Sequence, residues 1–478
     1  MKQFSRPKVV PHVLKKTLPF LLAALLGSTG VAGVAAAQEP DAMSSQPAPA
    51  YPAATPAQLA GGADWASSNA LITGSGPLFD PADPFYIPPA DLPSTPGTLL
   101  RTQPAPHLLN VAGPTLPGFA EKILYTSTTT HGETVAVSGY VIEPATRWAG
   151  EGPTPTVVVA PGTRGAADSC APSRTAGLVG AADPAGLTAN VNYESPFQYA
   201  ASYYGMRVVV TDYIGLGTPG VHTYVDNTEQ AHAVLDAARA GLAAAGAPAD
   251  SPVGFFGYSQ GGGAAAAAAE HAATYAPELN IKGTYAGAPP ANLKAVLQAV
   301  DGSGIVGVFG YAIAGYSDRY PALKQVLDEK LNDRGKAFVA ENANSCIVDS
   351  ALQWALTDTT KFTVTGQSMS EVASEDPIIS GIFAEESLGK TTPTGPVMLG
   401  SSSVDDIIPN DQVRALGNFY CSSGSAVYFN GSPLGSLTSS VPLGADHAAG
   451  LFTDTPKSLN YLIDRFNNQP APNSCGSF

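Results

Sequence analysis

Six short, almost uninterrupted apolar runs constrain this chain more than any other feature: Thr156–Ala160, Met206–Thr211, Val253–Gly257, Gly283–Gly287, Pro396–Gly400 and Ala426–Phe429. Runs of this length without polar alternation read as strands buried on both faces, as in parallel sheets. Helical patterns lie between several of them, best at Thr228–Ala245, Gln260–Tyr275 and Asp411–Phe419. Parallel strands need a crossover connection, and a helix supplies it. The alternation predicts an α/β fold, a mainly parallel sheet with helices on both faces. Upstream, Glu121–Thr130 and Glu133–Ile142 alternate around His131-Gly132 and read as an antiparallel hairpin. From about Pro289 to Lys390 the alternation breaks. That stretch is mostly helical and reads as an insertion between two strands.

The N-terminus sets the compartment. Lys2, Arg6, Lys8, Lys15 and Lys16 precede an apolar run from Leu18 to Leu26, and small residues follow as far as Ala35-Ala36-Ala37. This is the order of a secretory signal peptide over residues 1–37. Residues 38–74, rich in Ala, Pro, Gln and Ser, read as a flexible tether, and 75–478 as one domain. Within it, Leu78–Pro89 mixes prolines and aromatics and reads as an arm on the domain surface. With 39 Asp+Glu against 24 Lys+Arg and a net charge of -15, the chain lacks the basic footprint of a nucleic-acid binder. Export places Cys170, Cys346, Cys421 and Cys475 in an oxidising compartment, where two disulfides are expected. Spacing alone leaves all three pairings open. The same spacing does not suit zinc.

Gly257-Tyr258-Ser259-Gln260-Gly261 is a G-x-S-x-G motif between the Val253–Phe256 strand and the Gln260 helix. This is the context of a nucleophile elbow on an α/β-hydrolase sheet. A strand-to-helix turn of this kind strains the Ser259 backbone and holds its hydroxyl out at the sheet edge. Gly257 and Gly261 leave room where strand and helix cross. Gly262 and Gly263 weaken the helix start, and the alanine run Ala264–Ala269 restores helix propensity.

The base follows by elimination among seven histidines. In this fold the acid and the histidine come after the serine, which leaves His271 and His447. His271 lies about 18 Å along the elbow helix from Ser259 at ~1.5 Å per residue, so His447 is expected as the base, on a small-residue loop before a closing helix Pro456–Phe466. Asp405 and Asp406 follow the Pro396–Gly400 strand. Asp405 and Asp406 are not expected both to point at His447, and the loop leaves the choice open; Asp411 is expected to cap the next helix. The oxyanion hole is expected from the Gln260 amide and from the Gly-flanked Pro161–Gly165 loop, centred on Thr163, whose hydroxyl adds a further donor. Gly215-Leu216-Gly217 with Gly220 is a fragment of a dinucleotide fingerprint spoiled by Pro219. Asp333 and Asp349 lack the paired carboxylate that glycosidase chemistry needs.

Together these motifs resemble the secretory lipase family, the yeast lipase A type and its actinobacterial relatives. The resemblance is carried by Asp83–Pro89, Pro96-Gly97-Thr98, Pro161-Gly162-Thr163, Cys170-Ala171-Pro172-Ser173, Thr211-Asp212-Tyr213, Gly215–Gly220, the serine elbow, Asp405–Pro409 and Asp446-His447. It implies an α/β-hydrolase core with a helical cap at about 289–390, bridges Cys170–Cys346 and Cys421–Cys475, and Asp405 rather than Asp406 as the acid. It implies Thr163 as the second oxyanion donor, where the yeast type carries Asp. The implied activity is a secreted serine ester hydrolase acting on triacylglycerols or related lipid esters. No cofactor, metal or nucleic acid is expected, only an ester substrate with transient contact to a lipid interface, and a location outside the cell or at its wall. Two rivals remain: an exported serine aminopeptidase on the same fold, and a catalytically silent cell-surface binding module.

Overall fold

A computed structural model describes residues 83–105, 107, 118–183, 188–432, 435–438 and 441–478. The expected signal peptide and tether lie outside the described residues, as does the start of the arm.

The strands in chain order are β1 (Leu99–Pro104), β2 (Gly118–Thr128), β3 (Thr134–Pro144), β4 (Thr156–Ala160), β5 (Gly180–Asp183), β6 (Thr188–Val191), β7 (Arg207–Thr211), β8 (Pro252–Tyr258), β9 (Asn280–Gly287), β10 (Val397–Ser402) and β11 (Val427–Ser432). Nine of them form one sheet in the order β1-β2-β3-β7-β4-β8-β9-β10-β11, while β5 and β6 pair separately. β7, β4, β8, β9, β10 and β11 run parallel, as their apolar runs require, and β1, β2 and β3 add an antiparallel flank. The expected hairpin is β2–β3, with Thr128 opposite Thr134 at its tip.

The helices are α1 (Ser195–Tyr203), α2 (Asn227–Ala244), α3 (Gln260–Tyr275), α4 (Leu293–Val300), α5 (Val308–Arg319), α6 (Pro321–Lys330), α7 (Asp333–Asn342), α8 (Ile347–Trp354), α9 (Met369–Glu375), α10 (Pro377–Glu386), α11 (Asn410–Ser422) and α12 (Ala445–Phe466). Two-residue alternation along each strand feeds two separate cores. Val157 and Val159 of β4, Val208 and Val210 of β7 and Phe256 of β8 face Phe197 of α1 and Leu462 and Phe466 of α12. Val158, Val209, Val253 and Phe255 face the alanines of α2 and α3. At Gly241 a Cβ would lie 2.3 Å from Val209 Cγ2, so the absence of a side chain lets α2 approach β7. The arm residues Phe85 and Tyr86 bury against Leu124 and Ala136 of the flank.

Helices α4 to α10 all fall between β9 and β10, an inserted cap with its own apolar cluster that includes Tyr316, Leu323, Val372 and Ile382. Two disulfides form, Cys170–Cys346 and Cys421–Cys475. The first joins the loop after β4 to the start of α8 in the cap. The second joins α11 to the C-terminal tail, where the Ser474 amide donates to the Val427 carbonyl at 2.7 Å along edge strand β11. No helix among the described residues is long and apolar enough to cross a membrane.

The Cys421–Cys475 bridge closes a long loop, so its removal acts chiefly by freeing the unfolded chain. Replacing both cysteines by Ala is expected to lower stability by about 2–4 kcal/mol, read as a lower urea midpoint with unchanged secondary structure.

Candidate active site

Ser259 sits where β8 passes into α3, with φ 60° and ψ -125°. A non-glycine residue held there costs about 1–3 kcal/mol and persists only where its surroundings over-determine it. Its amide donates to the Gly287 carbonyl of β9 at 2.9 Å, and its carbonyl accepts from Gly263 at 3.0 Å. The crossing is too tight for side chains: a Cβ on Gly257 would lie 1.9 Å from the Gly261 oxygen, and one on Gly261 2.0 Å from the Ala160 oxygen.

Asp405 lies in the turn after β10. Its Oδ1 accepts from the amides of Ile407 (2.9 Å) and Ile408 (2.7 Å), which leaves Oδ2 to accept from His447 Nδ1 at 2.9 Å. The Asp405 side chain is 1% exposed and that of His447 10%, so water competes little for this bond. Burial alone would push the His447 imidazolium down. The charge and hydrogen bond of Asp405, with the charge of Asp406 behind them, outweigh burial and raise its pKa above the ordinary 6.5.

Three expectations need correction. His447 is not on a loop. It occupies the first turn of α12, a 22-residue helix that runs straight through Pro456. The helix begins at Gly444, which takes the left-handed conformation (φ 83°). Proline normally marks a first turn, but here tertiary bonds extend the helix beyond it: Tyr258 Oη donates to the His447 carbonyl at 2.7 Å. A Cβ on Gly450 would lie 2.1 Å from that same hydroxyl. Asp405 and Asp406 also both reach His447, on different atoms. Asp406 Oδ1 accepts from the His447 amide at 3.0 Å and Oδ2 from the Gly444 amide at 2.7 Å. Asp411 lies within the first turn of α11 and does not cap it.

Gln260 is the first residue of α3. Its side-chain Nε2 faces His222 Nε2 at 3.2 Å. Burial pushes the His222 pKa down to about 4. The neutral ring therefore donates from Nδ1 to the Ile214 carbonyl at 3.1 Å and accepts from Gln260. On the β4 loop, Thr163 Oγ1 shares a hydrogen bond with Tyr224 Oη at 2.8 Å, and the Thr163 carbonyl accepts from Tyr193 Oη at 3.0 Å. The neighbouring Gly162 amide donates to Glu194 Oε1 at 2.7 Å. Glu194 is ion-paired with Arg164, both fully buried, and the Arg164 guanidinium lies 3.9 Å over the Tyr193 ring. Glu194, Tyr193 and Tyr224 do not stand out in the sequence. No motif marks them, because each acts through a fold contact with a loop far away in the chain.

Ser259, Gln260 and Tyr224 line a cavity. Its remaining wall is almost wholly apolar, from α4 (Leu293, Leu297, Val300), α5 (Val308, Phe309, Ala312) and the turn residues Ile407 and Ile408. A second apolar chamber inside the cap shares Leu297, Phe309, Ala312, Tyr316 and Phe383 with it. The Gly215–Gly220 turn runs into loop, with the Gly217 amide on Asp168, and α2 starts only at Asn227. In the cap, Asp349 accepts from the Cys346 amide. Among the described residues no group of three or more His, Cys, Asp or Glu side chains is placed to hold a metal ion.

Residues 182–474 match the family described as secretory lipase. A protein of Mycobacterium tuberculosis named "Probable inactive lipase MT1628" is 29% identical over 431 residues, covering 87% of this chain and 90% of its own. Lipase A of Arthroderma benhamiae is 26% identical over 407 residues, covering 84% and 82%. Among solved structures, Candida antarctica lipase A in its closed state superposes with a TM-score of 0.66 at 21% identity, over 83% of this chain and 90% of that one. The rice cell wall degrading esterase LipA of Xanthomonas oryzae gives 0.60 at 19% identity, over 79% and 100%. With the profile match spanning well over half of its length, and the sheet, elbow and cap arranged as described, the chain belongs to the secretory lipase family.

Proposed function

We propose that this chain is a secreted carboxylic ester hydrolase acting on acyl esters with an extended apolar chain, triacylglycerols or related lipid esters. The observation that carries the reading is the 2.9 Å bond between Asp405 and His447, with Ser259 opening onto an apolar cavity. His447 Nε2 takes the Ser259 proton as Oγ attacks the ester carbonyl carbon, and Asp405 holds Nδ1–H and so fixes the tautomer. The amides of Gln260 and Thr163 receive the developing oxyanion. The tetrahedral intermediate collapses, the imidazolium gives its proton to the leaving alcohol, and an acyl-enzyme remains. Water, deprotonated by the same imidazole, then releases the acid and restores Ser259.

The family and the N-terminal segment 1–37 support secretion. Among the described residues, the cavity lining carries no carboxylate to hold a substrate ammonium, which disfavours the aminopeptidase reading. The name of the Mycobacterium relative favours the silent module. Against it stand the Asp405–His447 bond and the strained elbow serine.

Ser259→Ala is expected to lower kcat on p-nitrophenyl butyrate by about 10⁶-fold, and Asp405→Asn by about 10⁴-fold, with melting temperatures retained. Wild-type chain without serine-dependent turnover on any ester would leave the silent module standing. The raised His447 pKa sets the pH dependence. Only the neutral imidazole is a base, so kcat/KM falls with decreasing pH through a midpoint above 6.5. A stopped-rate series across acidic and neutral pH reads that midpoint directly, and an acid limb below the ordinary histidine value would contradict it.

Ala312 lies in the wall between the two chambers. Ala312→Phe is expected to cut kcat/KM for long-chain p-nitrophenyl esters by about 10-fold or more, a typical penalty for misfit in an apolar pocket. The acetate ester should be hydrolysed as before. Equal losses on both esters would separate the acyl chain from this cavity.

A further inference from the structure

The resemblance implies Asp405 as the acid and assigns Asp406 no part, but the structure gives Asp406 two bonds to the start of α12. Helix α12 starts at Gly444, which has no side chain to satisfy the open amides of a first turn. Asp446, inside that turn, is occupied elsewhere: it accepts from Ser436 Oγ, the Leu437 amide and Thr438 Oγ1. Asp406 reaches across from the β10 turn, 38 and 41 residues away, and takes the Gly444 and His447 amides on its two oxygens. It serves as the N-cap that the helix lacks, supplied from another element.

We propose that Asp406 is a positioning residue for ester hydrolysis, gripping the His447 main chain while its neighbour Asp405 grips the His447 ring. The proposal rests on the triad reading above. Both carboxylates come from the same short turn, so His447 is held at two points, ring and main chain, from one segment. Tyr258 Oη on the His447 carbonyl adds a third. Here each of the two amide donors meets its own carboxylate oxygen. A carboxylate offers both, whereas an asparagine offers one oxygen and turns an N–H₂ group towards the other donor. The charge has a second effect. Asp405, Asp406 and Tyr258 are the titratable groups facing His447, and both carboxylates favour the imidazolium, Asp405 more strongly.

The test compares kcat, KM and the pH–rate profile of wild type, Asp405→Asn, Asp406→Asn and Asp406→Glu on p-nitrophenyl butyrate. Asp406→Asn is expected to lose about 10- to 100-fold in kcat, the scale of a misplaced catalytic group. KM should stay unchanged and the acid limb should move to lower pH. Asp406→Glu keeps two oxygens and the charge, and should restore most of kcat with the wild-type acid limb. Full activity and an unmoved acid limb in Asp406→Asn would overturn the proposal while Asp405→Asn remains crippled. If Asp405→Asn also keeps full activity, the triad reading itself fails and takes the proposal with it. Should Asp406→Asn fail to fold, Asp406→Glu decides: folded and active supports the assignment, folded and inactive overturns it.

Discussion

The distance between helix α3 and the strands beneath it governs the rest of the molecule. Backbone oxygens of Ala160, Gly261 and Gly287 lie within about 2 Å of where Cβ atoms would stand on Gly261, Gly257 and Gly262, far inside the 3.5–4.0 Å or so at which non-bonded atoms attract. Only a run of glycines permits this approach, and it forces the strained turn at Ser259. The alanines that follow continue the same logic, since Ala264–Ala269 are all completely buried and larger side chains would lift the helix off the sheet. One steric condition therefore sets the sheet's middle, the elbow and the position of the serine together.

From that centre the two faces have different tasks. The α2 and α3 face is packed with small side chains and carries the elbow helix. The α1 and α12 face is packed with Phe197, Leu462 and Phe466 and carries His447. Ser259 and His447 thus stand on elements packed against opposite faces of the sheet, and the turn after β10 meets the histidine where α12 begins. The charges involved are buried but every one has a partner, as the cost of an isolated buried charge demands. Glu194 with Arg164, behind the β4 loop, follows the same rule.

The parallel strands were legible because runs such as Thr156–Ala160 have no polar position to spare, and the structure changes their ends by only a residue or two at most strands. β1 was not legible. Leu99–Pro104 has two apolar residues and is held by its pairing with β2 and not by its own pattern. At the site, Ser259 announced itself through its glycines, and His447 through its place in the chain order. The helical state of His447 was hidden, since Gly450 and Pro456 argue locally against a helix and the bonds from Asp406 and Tyr258 that override them come from residues 41 and 189 positions away. Contacts of this kind leave no periodicity to read. For the same reason the roles of Glu194 and Tyr224 emerge only once the loops are brought together.

The Cys170–Cys346 bridge has one further consequence. Around it the Ile347 amide donates to the Arg164 carbonyl at 2.8 Å and the Ala166 amide to the Ser345 carbonyl at 3.0 Å, so the edge of the cap is stitched to the loop that carries Thr163. An oxidised chain carries its cap edge and the Pro161–Gly165 loop as one piece. A newly made chain, with both thiols still reduced, holds the same two pieces by main-chain bonds alone. Closing this bridge therefore adds a covalent tie to a seam that main-chain bonds already hold.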